Sequence, residues 1–251
     1  MIKEKIPTGI IVYEGPSQID RKPIVCIAIG IKRLSKNRKT GAMIQTYILR
    51  KNINPIKAGW GGQDVSICGD CKQRRSQGGA CMVNFAKSPN NVWKAYKRGN
   101  YVKLNKQNVG LFKDKLIRCG YYGDPSAIPL WVWKKILKHS AGHTGYTHGW
   151  KKCNPNYKNF LMVSVDNPEE MRLAHSKGWR TFRIRTIEQQ ILKGEFSCPA
   201  SEEMGKRLTC ETCLACNGGS PPKGSVAIIA HGAFASRFTK LSISGETTWK
   251  N

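Results

Sequence analysis

Acidic residues are scarce in this chain of 251 residues. Sixteen Asp and Glu stand against 42 Lys and Arg, which gives a formal net charge of +26. Such a surplus destabilises a compact domain by self-repulsion unless an anionic partner is present, and nucleic acid is a common one. The basic residues are spread along the chain and not gathered in one tail. We therefore expect the folded surface itself to be positive and to contact nucleic acid.

Long apolar runs are also missing. The longest, near residues 24–31, falls far short of the roughly 18 residues that a membrane-spanning helix needs. The N-terminal sequence MIKEKIPTGIIVYEGP contains charges and an early proline but no apolar core segment, so it does not read as a secretory signal. The sequence therefore predicts neither a membrane protein nor an exported one, and its length is enough to bury a full core.

Several well-known motifs are absent too. The chain has no GxGxxG or GxxxxGK[ST] loop, so a dinucleotide-binding or P-loop reading has no support. It has no GxSxG nucleophile elbow and no HExxH pair, which removes the usual sequence evidence for a serine hydrolase or a zincin.

Cysteine, by contrast, is abundant, with ten residues. Without an export signal, metal binding is favoured over disulfides. The C-terminal group has the spacing Cys198-x11-Cys210-x2-Cys213-x2-Cys216. A CxxCxxC run is typical of iron–sulfur ligation, and Cys198 is followed by Pro199, as a remote ligand often is. A zinc site with four cysteine ligands is the alternative, so the expected cofactor is a 4Fe–4S cluster or zinc.

A second group has the spacing Cys68-x2-Cys71-x9-Cys81, which is one ligand short of a closed site. Either it pins a glycine-rich loop with a fourth ligand from elsewhere, or its fourth position is open to a substrate or cofactor. The residues that could complete it are a histidine or one of Cys26, Cys119 and Cys153.

Hydrophobic patterning predicts an α/β fold in one domain spanning residues 1–251. Residues 1–50 read as an antiparallel, β-rich extension, 52–87 as the first Cys loop, and 89–98 as a helix. From residue 88 onward short apolar strands alternate with helical stretches, interrupted by a second Cys loop at 196–219. One of the predicted short helices is IEQQILKG, residues 187–194. This alternation indicates a mostly parallel sheet, and we expect an incomplete (β/α) barrel.

Polar residues follow the predicted strands at their carboxyl ends, where parallel α/β folds bind ligands. Asp124 and His148 are candidates for acid/base or hydrogen-bonding roles. Arg183 either binds a phosphate or carboxylate or lies on a solvated face. We take these three as the candidate catalytic residues, whereas Asn167 or Asp166 is expected to cap the helix that follows.

Aromatic residues lie among the charges at Trp93, Tyr96 and Tyr101. They suit base stacking, and they equally suit the buried face of the helix at 89–98.

Several short motifs are spread over the chain after residue 60: CGDC at 68–71, CMVN at 81–84, GYYGDP at 120–125, GYTHGW at 145–150, MVSVD at 162–166, GWRTFRIR at 178–185, CPASEE at 198–203 and CETCLAC at 210–216. In these motifs the chain resembles a family of bacteriophage and plasmid proteins. The resemblance implies a mobile-element protein that acts in the cytoplasm of a bacterial host.

The layout is also distantly similar to that of radical-SAM enzymes. That resemblance implies a parallel βα barrel, a 4Fe–4S cluster on three early cysteines that is open to S-adenosylmethionine, and an auxiliary C-terminal cluster. The spacing here departs from the CxxxCxxC of that family, because it is CxxC-x9-C.

Two hypotheses of different classes follow. In the leading one the chain is a phage-type protein that binds metal, preferably as an iron–sulfur cluster, and acts on or with nucleic acid. Any chemistry would then occur at the carboxyl ends of the strands. In the other it is a non-catalytic nucleic-acid-binding module whose loops are stapled by zinc. A radical-SAM-like enzyme is a further alternative, and whether the chain is an enzyme stays open.

Overall fold

The computed structural model describes residues 6–205, 207–219, 224–232 and 234–243. Position 206 of the second Cys loop therefore lies outside the described residues, as do residues 1–5 of the N-terminal extension. The strands are β1 Gly9–Pro16, β2 Pro23–Ile29, β3 Ile44–Arg50, β4 Val102–Lys103, β5 Leu116–Tyr122, β6 Gly142–Thr147, β7 Met162–Val165, β8 Thr181–Arg185, β9 Glu195–Ser197 and β10 Ser225–Ile229. The α-helices are α1 Pro55–Trp60, α2 Val65–Cys68, α3 Ser88–Lys97, α4 Leu130–Leu137, α5 Pro168–Ser176, α6 Cys210–Cys213 and α7 Ala235–Ile243.

All ten strands join one sheet in the order β4-β1-β2-β3-β5-β6-β7-β8-β10-β9. The β1–β2 and β2–β3 pairs are antiparallel, and the other neighbouring pairs are parallel. The predicted α/β class with a mostly parallel sheet is confirmed. The β-rich N-terminal segment continues the sheet, because β3 pairs directly with β5. Among the described residues β4 and β9 are edge strands, so the sheet is open and a closed barrel is not formed.

The helices between the strands form where the sequence supplies their ends. Helix α5 begins after Asn167, whose side chain accepts a hydrogen bond of 2.8 Å from the Glu170 N–H, and Glu169 and Glu170 lie in its first turn. This capping and the acidic first turn stabilise the helix N-terminus. Of the two predicted caps, Asn167 and Asp166, Asn167 is therefore the cap.

Two clusters of buried apolar side chains pack against the sheet. The larger cluster packs α4 and α5 against the sheet, and the fully buried Trp133 on α4 donates from its indole nitrogen to the Pro125 carbonyl at 2.9 Å. The smaller cluster lies under the second Cys loop and contains Met162, Phe182, Cys198, Ala200, Val226 and Ile228. None of the described helices is long and apolar enough to cross a membrane.

The predicted helix at 187–194 is wrong. That segment forms bends and a turn that lead into β9, and neither β9 nor α7 was predicted. Carbonyl groups of the segment are taken by buried arginines: Arg185 donates to the Gln189 carbonyl at 2.8 Å and Arg183 to the Gln190 carbonyl at 2.9 Å. These tertiary hydrogen bonds outweigh a weak local helix propensity.

Candidate metal centres

The second Cys loop is fastened to the rest of the fold by backbone hydrogen bonds. The Cys210 N–H donates to the Lys39 carbonyl, in the turn before β3, at 2.9 Å, and the Gly145 N–H in β6 donates to the Cys216 carbonyl at 2.9 Å. The Cys198 N–H donates to the Ala227 carbonyl in β10 at 2.8 Å. A turn and two strands, β6 and β10, thereby fix the cysteine backbone.

Local structure within the loop brings its cysteines to one side. Thr209 caps the short helix α6 in a capping box with Thr212, and Leu214 ends the helix in the left-handed region at φ 50°. Glu211 anchors α6 by accepting a hydrogen bond of 2.8 Å from the Ala42 N–H. The chain then turns back, so Cys216 packs on the same apolar cluster as Cys198.

The four thiols of the second Cys loop influence one another electrostatically. Burial raises the pKa of Cys216 to about 12, and the charges of Cys198, Cys210 and Cys213 add to the rise while Arg118 opposes it. Burial likewise raises the pKa of Cys198, with further contributions from Cys210 and Cys213 and an opposing one from Lys39. All four predicted ligands of the C-terminal group therefore share one region.

Two cations face these thiols. The Arg118 guanidinium lies 3.9 Å above the centre of the Tyr146 ring and donates to Thr144 Oγ1 at 3.3 Å. Burial lowers the pKa of Arg118, but the charges of Tyr146, Cys210 and Cys216 outweigh it and the net shift is upward. Lys39 lies 2.6 Å from His231 Nε2, and burial lowers its pKa against the opposing effect of Cys198, Cys210 and Cys216. Within the described residues neither cation pairs with a carboxylate.

The charges in this region match those of a metal centre bound by thiolates. Four thiolates around a divalent metal ion, or around a doubly charged iron–sulfur core, leave two negative charges, and two unpaired cations balance them. The position of Arg118 and Lys39 beside the thiols could not be predicted from the sequence. Both residues lie far from the cysteines along the chain, and no spacing rule connects them. In the described part of the chain, however, no three His, Cys, Asp or Glu side chains stand as a group that could hold a metal ion. The thiols share a region without forming a finished coordination shell.

The first Cys loop lies at the carboxyl ends of the parallel strands. The Cys71 N–H donates to the Cys68 carbonyl at 3.2 Å, and the Cys81 N–H donates to the Gln73 carbonyl at 2.8 Å. A buried ion pair between Arg74 and Asp64, at 2.7 Å, stabilises the loop. The Asp124 N–H, just after β5, donates to the Ile67 carbonyl, which ties the loop to the strand end.

The first three thiols lie near carboxylates, and Cys81 also lies near the Arg75 guanidinium. Burial raises the pKa of Cys68, and Asp64, Cys71 and Cys81 raise it further. Burial also raises the pKa of Cys81 to about 11, with the charge of Cys71 as the next cause. The neighbouring Tyr122 hydroxyl is buried and has no hydrogen-bond partner among the described residues. The three predicted ligands therefore lie together beside an unsatisfied polar group.

A cavity of about 450 Å³ adjoins this end of the sheet. Its walls include Cys68, Asp20, Asp70, Asp124, Lys152 and Cys153. Cys153, one of the residues considered as a fourth ligand, thus lines the same cavity as Cys68.

Asp124 and His148 are brought together. One Asp124 oxygen accepts hydrogen bonds from the Ser126 N–H and hydroxyl at 2.9 and 2.8 Å. The other accepts from the backbone N–H groups of His148 and Gly149 at 2.7 and 3.3 Å. Asp124 therefore ties the end of β5 to the end of β6, while the His148 ring has its Nε2 buried without a partner in the described residues.

Arg183 lies apart from that pair, on β8. Its guanidinium forms an ion pair with Glu195 at 2.6 Å, and the two side chains are 4% and 0% exposed. The solvated-face alternative for Arg183 is wrong, because the side chain is buried. Its Nη2 and Nε are committed to Glu195 and the Gln190 carbonyl. Arg183 also borders a separate cavity of about 270 Å³.

The aromatic residues of α3 and the strand beside it pack inward. The Trp93 indole donates to the Arg50 carbonyl at 3.1 Å, and the Tyr96 hydroxyl donates to Glu14 at 3.2 Å. With Tyr101 they pack against the main core, which is the buried-face alternative of the sequence analysis.

Comparisons with family models, with curated proteins and with solved structures found no match to the chain.

Proposed function

We propose that this chain is a phage-type metalloprotein that acts on or with nucleic acid, and that Cys198, Cys210, Cys213 and Cys216 hold its metal centre as an iron–sulfur cluster. One observation carries the proposal. Four thiols share a region with Arg118 and Lys39, and the charges of those two cations are balanced by no carboxylate in the described residues. Such a pair of cations is costly beside neutral thiols and favourable beside thiolates.

The cysteine spacing favours iron over zinc. Zinc sites more often use two separated CxxC pairs, whereas a CxxCxxC run with a remote Cys-Pro is an iron–sulfur pattern. When bound, such a cluster supplies either electron transfer or a rigid staple for the loop. The chain's own residues fasten the loop to β6, to β10 and to the turn before β3, and they provide the compensating charge.

Nucleic acid is the partner that the charge favours. The chain has a formal surplus of +26, and its basic residues are spread along the sequence. Contacts to phosphates are electrostatic and weaken steeply with salt. An affinity for DNA or RNA that is present near roughly 50 mM salt and declines with added salt supports this part of the proposal, and no binding at that level contradicts it.

We propose that any chemistry occurs at the carboxyl ends of the parallel strands. His148 is the best acid/base candidate of the three strand-end residues, because its Nε2 is unoccupied. Asp124 positions the loop that carries His148, and Arg183 is held by Glu195. An incomplete barrel is compatible with this proposal, since an open sheet leaves the carboxyl ends of the strands accessible to a ligand.

A radical-SAM-like enzyme is the second candidate. It is favoured by one observation, namely that Cys68 of the three-cysteine group lines a 450 Å³ cavity at the carboxyl ends of parallel strands. Binding of S-adenosylmethionine to iron-loaded protein, lost in Cys71→Ser and kept in Cys26→Ala, supports this alternative.

The test of the main proposal is elemental analysis on protein purified without oxygen. Iron and sulfide with a brown absorbance, lost in Cys216→Ser and retained in Cys26→Ala, is the expected result. Cys26 is a fitting control because it is fully buried on β2, away from either Cys loop. Zinc without colour contradicts the iron–sulfur assignment and leaves the zinc-stapled binding module.

A further inference from the structure

An exposed indole stands at the end of α1, beside the first Cys loop. Trp60 is 56% exposed although it is among the largest apolar side chains. Its ring is held in place by Phe85, which meets it edge-on at 5.9 Å between centroids and at an interplanar angle of 81°. Phe85 itself is buried. The indole therefore has a firm support on its edge and leaves surface free for another planar group.

Glycine at position 59 makes this support possible. A Cβ at that position would come within 2.8 Å of the Phe85 ring, closer than real contacts allow. The backbone of α1 can thus approach Phe85 closely enough to hold Trp60 over it.

Arg75 adds a fixed positive charge to the same place. Its guanidinium lies 4.2 Å from the centre of the Phe85 ring and 3.8 Å from that of Phe234, with Trp60 at 5.6 Å. It donates to the Val83 carbonyl at 2.9 Å, which fixes its orientation. A guanidinium that is held among aromatic rings strengthens stacking by its cation–π interaction.

Further exposed cations flank the indole. Lys57 lies three residues before Trp60 on the same helix, and three-residue neighbours share a helix face. Arg237, on α7, donates to the Gly78 carbonyl at 3.0 Å and so lies on the same Cys loop as Arg75. None of Lys57, Arg75 and Arg237 forms an ion pair within the described part of the chain.

We propose that Trp60 stacks on a base of single-stranded nucleic acid while Lys57, Arg75 and Arg237 contact the adjoining phosphates. This inference rests on the proposed function and assigns its nucleic-acid contact to a defined surface. An exposed planar ring surrounded by unpaired cations complements a base on an anionic backbone, and such stacking is sequence-tolerant.

A second exposed indole provides a matched control. Trp131 is 59% exposed and also meets an aromatic ring edge-on, Tyr13 at 6.4 Å. The groove beside it contains Lys103 and Lys135 together with Glu14, which forms an ion pair with Lys51 at 2.7 Å. Glu14 offsets part of that positive charge, and among the described residues no cation lies against the Trp131 ring as Arg75 lies near Trp60, so Trp131 should contribute less to binding.

The experiment compares Trp60→Ala with Trp131→Ala. Affinities for fluorescent oligo-dT and oligo-rU are measured by anisotropy near roughly 50 mM salt and again at higher salt. We expect Trp60→Ala to weaken binding about tenfold, Trp60→Phe to retain most of it, and Trp131→Ala to leave it within about twofold. Arg237→Gln should weaken binding and reduce its salt dependence by about one phosphate contact. The ratio of the dT and rU affinities then reports whether DNA or RNA is preferred.

The outcomes separate this inference from the proposed function. If wild-type protein binds neither oligonucleotide, the nucleic-acid part of the proposed function fails and this inference fails with it. If wild type binds and Trp60→Ala binds equally well, only the assignment to Trp60 is overturned. Circular dichroism and metal content unchanged from wild type show that a loss in Trp60→Ala is a loss of contact and not of folding.

Discussion

The two cysteine loops lie at different places on the sheet and in different electrostatic surroundings. The second loop covers one face of the sheet, over Met162, Phe182 and Val226, where its thiols face Arg118 and Lys39. The first lies at the carboxyl ends of the strands, where its thiols face Asp64, Asp124 and the cation Arg75, and a cavity opens beside Cys68. Cations stabilise thiolates and carboxylates disfavour them, so the second loop is prepared for a closed anionic centre. In the first, a bound metal ion would add positive charge beside the two carboxylates.

Both loops are held by buried arginines. In the second, Arg180 donates to the Ala215 and Gly218 carbonyls at 3.0 and 2.7 Å, and Arg185 pairs with Glu203. In the first, Arg74 pairs with Asp64 at 2.7 Å. The four-residue helix α6, however, has no buried side chain of its own, so we expect the CxxCxxC segment to depend on metal for its local fold more than the first loop does.

The largest expected effect is from Cys216→Ser set against Cys71→Ser. Metal binding that is coupled to folding contributes on the order of 10 kcal/mol, and removing one ligand loses part of that energy. Cys216→Ser should therefore lose the metal of the second loop and melt at a lower temperature than wild type, as followed by thermal melting and metal content. Cys71→Ser should stay folded. Equal melting of both variants would remove the contrast between the loops.

The next effect concerns the buried ion pair between Arg183 and Glu195. Arg183→Leu leaves a buried carboxylate unpaired and should cost about 3–5 kcal/mol in the free energy of unfolding. The matched exposed pair, Arg172–Glu169, has both side chains 70% exposed, and Arg172→Leu should cost under about 1 kcal/mol. Denaturant unfolding of the two variants measures the difference. A similar small cost for both would mean that Arg183 is available for a ligand.

A smaller effect is expected at the carboxyl ends of β5 and β6. Asp124→Ala removes four accepted hydrogen bonds that join Ser126, His148 and Gly149, and should destabilise the protein by about 2–3 kcal/mol. His148→Gln should change stability by less than about 1 kcal/mol, because the ring nitrogen has no partner to lose. If both variants unfold alike in urea, His148 is structural and the acid/base assignment is wrong.

The smallest expected effect is at Arg118. Arg118→Gln should keep the fold and lower metal affinity in the second loop about tenfold, because one compensating charge beside the thiolates is lost. Arg118→Lys should retain most of the affinity. The exposed Arg98 supplies the control, since Arg98→Gln removes the same charge away from the cysteines. Competition with a chromogenic chelator measures all three, and an unchanged affinity in Arg118→Gln would argue against a charge-balancing role.

Much of the fold could be predicted because its elements carry local evidence. Helix α5 follows from Asn167, two early acids and a terminal glycine, and β7 from a short apolar run. The segment 187–194 was predicted as a helix because its residues have moderate helix propensity. Buried arginines on β8 took its carbonyls instead, and the need of a buried guanidinium for acceptors is not visible in a local window.

The candidate sites divide in the same way. The grouping of cysteines could be read from spacing, because nearby residues in a tight turn stay close in the structure. Arg118, Lys39 and the exposed Trp60 could not, since their significance depends on which strands become neighbours and which face the loop covers. Trp93 and Tyr96 show the converse, because their spacing fits a helix face and they are indeed packed inward.

The most direct test of the account is metal and sulfide content per chain in anaerobically purified wild type and Cys216→Ser. The account predicts iron with matching sulfide and visible absorbance in wild type, lost from the second loop in the variant. Wild-type protein that contains neither iron nor zinc would contradict the claim that Cys198, Cys210, Cys213 and Cys216 form a metal centre.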